Sequence, residues 1–353
     1  MYDEWVKLFE KYGQEYPAEY AQLTTNMLDV TDLVDEYQTG DQMATRVASS
    51  DVLQQLAKAN PQFWGGAADL AYSNKTALKD DGNFTPDNYA GRNVYYGVRE
   101  FGAATATNGI NLHGGSRAYV STFMVFSDYL KAAIRLAAIQ HLPSIFIFTH
   151  DSLAVGEDGP THEPIEQLAM LRTIPNVQVF RPADAHETVE AWKVIAKTTD
   201  KPSVLIASRQ KLPVLDETKG ADVEKGAYII SPAKTQEPDG ILLASGSEVS
   251  LALEKLQKQG EYDIQVVSVP SIERFKEQSA DYQEQVLPTG VRHRLAVEMG
   301  NTQAWYQFVG LDGRVVGVDT FGKSGKGPEV VADYGFTVDH VVDVFNKMWE
   351  DQN

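Results

Sequence analysis

The chain has no cysteine. That excludes disulfides, thiolate catalysis and cysteine-ligated metal, and it fits a reducing cytoplasm, the compartment expected here. Long apolar runs are missing as well. No stretch reaches about eighteen consecutive apolar residues, so nothing reads as a helical membrane span. The segment after Met1, YDEWVKLFEKYG, is acidic and amphipathic and lacks the apolar core of a secretory signal. Positive charge is scarce: 31 Lys and Arg stand against 49 Asp and Glu, a formal net charge of −18. The basic residues are scattered singly, without the stripe of a nucleic-acid binder. Neither a nucleic acid nor a membrane is an expected partner. An anionic small substrate stays open, because a few placed arginines act against a negative background. Internal repeats and low-complexity segments are absent too.

The 353 residues are long for one core and comfortable for two. Residues 1–40 read as an arm of two short helices, broken by Gly13 and Pro17. From 41 to 215 short apolar runs alternate with helical ones. ATRVASSDVLQQLAKAN (44–60) predicts a helix, and QFWGGAADL (62–70) a strand with a Gly-rich turn. VYYGVREFGAATATNGINLHGG (94–115) predicts one small-residue helix, and AYVSTFMVF (118–126) begins as a strand. SDYLKAAIRLAAIQH (127–141) predicts a helix with a serine cap, followed by the buried strand PSIFIFT (143–149). PIEQLAMLRTI, VQVFRP, DAHETVEAWKVIAKTT and PSVLIASRQ continue as helix, strand, helix, strand. This grammar predicts a doubly wound, mostly parallel sheet. Residues 211–226 are polar, carry Pro and Gly, and read as a linker. A second, smaller α/β domain is expected over 225–353, with strands in DGILLASGS, YDIQVVSVP, RHRLAVEMG and GRVVGVDTFG. Its helices are EVSLALEKLQKQG and the closing TVDHVVDVFNKMWE.

Ligands of open α/β sheets gather outside the carboxyl ends of strands. HDSLAVGEDGPTHEP (150–164) lies at such an end. It is either a solvated loop or a ligand wall whose histidines move protons near neutral pH. In GVREFG (97–102), Glu100 sits within Ala, Gly and Thr and is expected to be partly buried. Burial would raise its pKa and let it hydrogen-bond a heterocycle nitrogen; the alternative is an Arg99–Glu100 surface pair. Phe123, Phe126 and Tyr129 recur every three residues. On a helix they would share a face, either as core or as a pocket for a flat ring. Arg46, Ser73, His150 and Arg209 fall near strand ends or helix starts. Each is a surface residue or a ligand for an anionic oxygen, and several converging charge-assisted hydrogen bonds of about 1.5–3 kcal/mol each would hold a phosphate. SGSEVS (245–250) is read as a plain helix start rather than an anion site, with no catalytic role.

These stretches together resemble the transketolase family. ATRVASS, GGAADLAYSN, YYGVREFG, STFMVFSDYL, THDSLAVGEDGPTHEPIEQLAMLR, FRPADAHET, SRQKLP, ASGSEVSLA and FGKSGKGPEV run in family order from about residue 44 to the end. The resemblance implies a pyrimidine-binding domain at 41–215 and a transketolase C-terminal domain at 225–353. It implies a transferase that uses thiamine diphosphate to move a two-carbon ketol unit between sugar phosphates. Glu100 then contacts the aminopyrimidine ring, favouring the imino tautomer whose nitrogen takes the thiazolium proton. Phe123, Phe126 and Tyr129 surround the pyrimidine. Arg46, Ser73, His150 and Arg209 grip the sugar phosphate, Asp158 reads a hydroxyl, and His162 moves protons near the reacting carbons. Asp69 is a further acid near the cofactor, and Glu157 supports the loop or a subunit interface. A homodimer is implied as well. Related readings are dihydroxyacetone synthase, 1-deoxyxylulose-5-phosphate synthase, a 2-oxoacid dehydrogenase β subunit, or a non-catalytic assembly module of the same fold.

Family members also carry a GDG word that marks an N-terminal domain binding the diphosphate through Mg2+ or Ca2+. Here DDG, EDG, PDG and LDG occur, but no GDG. The expectation is therefore two of three domains, from a truncated or naturally split enzyme. Such a chain, alone, would be inactive and hold no metal. Phe101-Gly102-Ala103 after Glu100 also departs from the His-Ala-Met of many relatives.

Overall fold

The apolar run PSIFIFT supplies a strand with no exposed residue, inside a sheet covered on both faces. The computed structural model describes residues 1–351 apart from Gln236 and 259–261. Two helices come first, α1 (Tyr2–Glu15) and α2 (Pro17–Thr24). The chain breaks only at Tyr16, where Pro17 opens α2. Gly13 stays helical, contrary to expectation. It lets α2 pack close: a Cβ there would lie 2.9 Å from the Tyr20 ring.

The first domain then runs β1 (Gln42–Met43), α3 (Thr45–Ala59), β2 (Phe63–Ala67), α4 (Ala71–Asn74), β3 (Asn93–Tyr95), α5 (Glu100–His113), β4 (Arg117–Phe123), α6 (Ser127–Ile139), β5 (Ile145–Thr149), α7 (Gln167–Arg172), β6 (Gln178–Phe180), α8 (Ala185–Lys197) and β7 (Ser203–Ala207). Six of these strands form an all-parallel sheet in the order β3-β2-β4-β5-β7-β6. Strands β4, β5 and β7 are buried throughout, as continuous apolar runs in parallel sheets are.

Three local expectations fail. Residues 94–115 are not one helix: the β-prone VYY joins the sheet edge as β3, Gly97 turns the chain at φ +69°, and the helix starts at Glu100. Ser127 does not cap α6; a 3-10 turn (Met124–Phe126) feeds straight into the helix, and the buried Ser127 hydroxyl has no partner. Residues 211–226 are not a free linker. They form β8 (Leu212–Pro213), antiparallel to β1, and bury Leu212, Val214, Thr218 and Val223.

The second domain holds β9 (Tyr228–Ser231), β10 (Gly240–Ala244), α9 (Glu248–Lys258), β11 (Ile264–Ser268), α10 (Ile272–Lys276), α11 (Ala280–Val286), β12 (Arg294–Val297), α12 (Tyr306–Val309), β13 (Arg314–Val316), α13 (Gly327–Asp333) and α14 (Val338–Glu350). The end of the predicted helix EVSLALEKLQKQG, Gln259 and Gly260, lies outside the described residues. The sheet order is β13-β12-β10-β11-β9, with β9 antiparallel to β11 and the rest parallel. Sequence patterning misses β9, α10, α11, α12 and α13. The core of this domain takes in Leu153, Ile165 and Ala183 from the first, so the two sheets share apolar packing. The fold is α/β, with a mostly parallel six-stranded sheet followed by a smaller α/β domain.

Candidate active site

Because the six strands are parallel, their carboxyl ends share one edge, and the helices that follow them start there. β5 ends at Thr149, so His150 is the first residue beyond it; β7 ends at Ala207, two residues before Arg209. Asp69 follows β2 in the same way. His150 and Asp69 both adopt left-handed backbone, φ +61° and +62°, a conformation that non-glycine residues hold only when the surroundings dictate it. Arg46 comes from the start of α3. A reciprocal clasp brings it beside β7: Thr45 N donates to Ser208 Oγ (3.0 Å), and Ser208 N donates to Thr45 Oγ1 (2.7 Å).

Arg46, Arg209, His150 and His162 form one electropositive group. Burial and Arg209 hold the Arg46 guanidinium below its usual range. Burial, then Arg46, Arg209 and His162, push His150 down to about 3. Arg46 Nη1 donates to the Ser73 carbonyl at 2.7 Å, and its buried Nε has no partner. Ser73 therefore meets the group through its backbone. Among the described residues no ion pair joins Arg46 or Arg209 to an acid. The charge of Arg209 is felt at Arg46, so a chain of net charge −18 carries a locally positive spot at this end of the sheet.

A polar relay behind His150 fixes its tautomer. Thr149 Oγ1 bonds both Asn74 Oδ1 and His150 Nδ1, each at 2.8 Å. Asn74 Nδ2 donates in turn to Ser121 Oγ at 3.3 Å. The one hydroxyl proton of Thr149 must go to Asn74 Oδ1, which cannot donate. His150 Nδ1 therefore carries a proton, and in the neutral ring Nε2 is the acceptor.

Aromatic rings continue from this group. Phe123 lies 3.7 Å from His150, centroid to centroid. The Phe123 and Phe126 rings stack at 6.1 Å and 10°, and Tyr129 follows at 6.2 Å. His162 stands edge-on to Phe126 at 5.5 Å. The three rings do not share a helix face as expected. They span the end of β4, the 3-10 turn and the first turn of α6, which bends the row along the sheet edge. Phe123 is buried, Phe126 half-buried, and Tyr129 is 63 % exposed. Glu100 is half-buried at the start of α5, which packs along α6 through Asn108 Nδ2 and the Ala133 carbonyl (2.9 Å). Asp69 and Asp158 are exposed. Among the described residues no hydrogen bond or ion pair is seen from Glu100, Asp69 or Asp158 to the cationic group.

Sequence reading missed the relay residues: Ser121 and Thr149, hidden inside apolar strands, and Asn74, at the end of the short α4. It gave no role to Asp151 and Glu163, the acids that flank the two histidines. Asp151 is ion-paired to Arg181 at 2.8 Å, both buried. Glu163, 2 % exposed, is pushed up to about 7 by burial; the amides of Gly156 and Lys323 favour its charge without closing a well-formed hydrogen bond. The signal available was a charged residue directly after an apolar strand, as in FRP (180–182). A cleft of about 640 Å3 beside Arg172 and Glu273 holds none of the candidate residues. SGSEVS presents no open helix start: Arg181 fills it, donating to the Ser245 carbonyl at 2.8 Å.

Two family models match the chain. One, "Transketolase, pyrimidine binding domain", covers residues 41–214; the other, "Transketolase-like TK C-terminal domain", covers 226–337. A curated transketolase of Bacillus subtilis (strain 168) is 49 % identical over 350 residues, 96 % of this chain and 52 % of its own length. A solved transketolase from Pichia stipitis, in complex with xylulose 5-phosphate, superposes with a TM-score of 0.92 at 36 % identity, covering 99 % of this chain and 53 % of that one. A solved "Split gene transketolase, inactive beta4 tetramer" shares the fold at a TM-score of 0.69 and 22 % identity, over 88 % of this chain and 99 % of its own. The chain spans about half the length of the curated relatives it matches.

Proposed function

The chain belongs to the transketolase family, and from that we propose that it is the half of a transketolase that binds the sugar phosphate and the pyrimidine ring of thiamine diphosphate. The observation that carries this reading is the unneutralised Arg46–Arg209 pair beside neutral, buried His150, next to a row of aromatic rings on the same sheet edge.

The residues present fit the pyrimidine side of the cofactor. Phe126 and Tyr129 offer ring faces at the surface, and Glu100 offers a half-exposed carboxyl for a ring nitrogen. Thiamine diphosphate supplies the carbanion chemistry of ketol transfer. The chain's own residues bind and orient. Arg46 and Arg209 take the phosphate through their guanidinium N–H donors, and His150 adds a ring nitrogen beside them. His162, edge-on to Phe123 and Phe126, takes the role of moving protons on the sugar. Asp158 reads a sugar hydroxyl. Asp69 stands with the cofactor-side acids. On this reading Mg2+ or Ca2+ and the diphosphate fall to a diphosphate-binding half, on the same polypeptide or another.

Exposed Tyr95 ends β3, Val98 lies in the turn after it, Phe101 and Leu112 are on α5, and Tyr129 and Leu136 are on α6. They form the apolar face through which a homodimer and the diphosphate-binding half would assemble. A cytoplasmic site of action suits the chain without cysteine. The test is reconstitution. Mixed with the diphosphate-binding half of the Bacillus subtilis relative, magnesium and thiamine diphosphate, this chain is expected to restore ketol transfer between sugar phosphates. A folded mixture without transfer would count for the non-catalytic assembly module. Sub-micromolar binding of the cofactor to this chain alone, by calorimetry, would overturn the division of labour.

A further inference from the structure

The loop that carries His150, Asp158 and His162 is fastened at both ends to the second domain. At its start, Asp151 Oδ2 accepts from Arg181 Nε (3.1 Å) and Nη2 (2.8 Å). Arg181 reaches across the joint with Nη1, to Glu248 Oε2 (2.5 Å) and to the Ser245 carbonyl (2.8 Å). Glu298 completes the cluster: it takes Arg172 through two hydrogen bonds (2.7 and 3.0 Å) and Trp305 Nε1 at 2.7 Å. Midway, Ser324 Oγ donates to the Glu157 carbonyl at 2.7 Å. At its end, the buried Glu163 carboxyl lies against Gly322, where no side chain would fit. Leu153 and Ile165 belong to the second domain's core.

Five charged side chains, each no more than 4 % exposed, are an expensive way to hold two domains together, since packed apolar residues of similar volume commonly do it as well. What charges and bidentate hydrogen bonds add is fixed orientation. Here the orientation fixed is that of the residue next to His150, itself held in left-handed backbone. We propose that the second domain sets the geometry of the sugar-phosphate wall, with Glu248 as a positioning residue that acts through Arg181 and Asp151 on His150. This rests on the sugar-phosphate reading of the site.

The test uses the full chain and ribose 5-phosphate as probe, with binding followed by calorimetry and the histidine ring signals followed by NMR. The wild-type chain is expected to bind the probe. Glu248→Gln keeps the side chain's shape and is expected to weaken binding about tenfold, as small misplacements in preorganised sites do, and to shift the His150 ring signals while those of His340 stay put. Lys201→Ala cuts a different tie between the domains, to Glu277 at 2.9 Å, and is expected to leave binding unchanged. If Glu248→Gln does not fold, Ser324→Ala removes the exposed tie to Glu157 and is expected to weaken binding about threefold. Folded Glu248→Gln or Ser324→Ala chains that bind like wild type, with unmoved His150 signals, would overturn the inference. Failure of the wild-type chain to bind sinks the sugar-phosphate reading instead, and the inference with it. Equal weakening in Lys201→Ala would also overturn it, because any loosened joint would then do the same.

Discussion

Replacing His150 by Asn tests the electrostatics of the cup without needing a partner or a cofactor. Asn is the substitution of choice because it tolerates left-handed backbone and leaves an amide to face Thr149. In the folded chain His150 is 3 % exposed, and burial with two guanidiniums lowers its pKa from 6.5 to about 3. The unfolded chain therefore takes up a proton near pH 6.5 that the folded chain refuses. Above pH 6.5 the residue adds no pH dependence. As pH falls it destabilises, and the loss levels off near pH 3. At 1.36 kcal/mol per unit the full penalty is about 5 kcal/mol, of which about 2 kcal/mol has accrued by about pH 5. Urea unfolding with linear extrapolation, at about pH 7.5 and about pH 5, resolves a difference of that size. Wild type should lose about 2 kcal/mol more than H150N between the two. Equal losses would refute the claim that His150 stays neutral beside Arg46 and Arg209. The same reasoning ties phosphate binding to protons: a phosphate placed between the guanidiniums offsets their repulsion of the imidazolium, so ribose 5-phosphate should raise the His150 pKa in an NMR titration.

Glu187 works with the opposite sign. It is fully buried at the domain joint, pushed up to about 7 by burial while Ser268 and Tyr228 donate to it. The folded chain keeps its proton as the unfolded one releases it near 4.5, so stability should fall by up to about 3 kcal/mol as pH rises from 4.5 to 7; E187Q should abolish this slope in the same unfolding assay. Arg46→Ala and Arg209→Ala should each weaken ribose 5-phosphate binding by about 10- to 100-fold, the loss of one charge-assisted interaction, and R46A should also raise the His150 pKa. Gly246→Ala puts a Cβ 2.6 Å from the Arg181 guanidinium carbon at φ +59°, and calorimetric melting should show a loss of about 1–3 kcal/mol. Tyr129→Ala, at an exposed position, should leave the melting point within about 0.5 kcal/mol of wild type in stability while reducing reconstituted ketol transfer.

The alternation of helix and strand was legible because buried parallel strands are unbroken apolar runs. IFIFT, SVLIA and GILLA announce themselves, and Asp184 and Thr337 mark helix starts that the structure caps as drawn. The clustering of Arg46, His150 and Arg209 was legible for a related reason: each follows or precedes an element whose end is fixed by the sheet. Other features were not legible, because their causes lie far off in sequence. VYY reads into a helix until β2 is known to be its neighbour. β9 is antiparallel and short, and only β11 gives it a place. The spacing of Phe123, Phe126 and Tyr129 suggested a helix face, although a strand end and a 3-10 turn place the same rings in a row. Arg181 and Glu298 each follow an apolar strand directly, but nothing local names the ion-pair partners of Arg181, Glu248 and Glu298, which are 30 to 126 residues away.

The acids of the 150–163 loop show how an acidic chain keeps a site for an anion. Four carboxylates share that loop with the two histidines, and charged acids next to the cup would cancel Arg46 and Arg209. The two that flank the histidines are put out of action, Asp151 inside the first domain and Glu163 against the second. Asp151 is paired with buried Arg181, and Glu163 is buried and pushed toward neutrality, to about 7. The other two, Glu157 and Asp158, stay exposed on the turn, where solvent screens them. Removing the second domain's contacts would therefore do more than loosen the loop. It would free the Glu163 charge beside His162, so the guanidinium pair depends on that domain for its field as well as for its geometry.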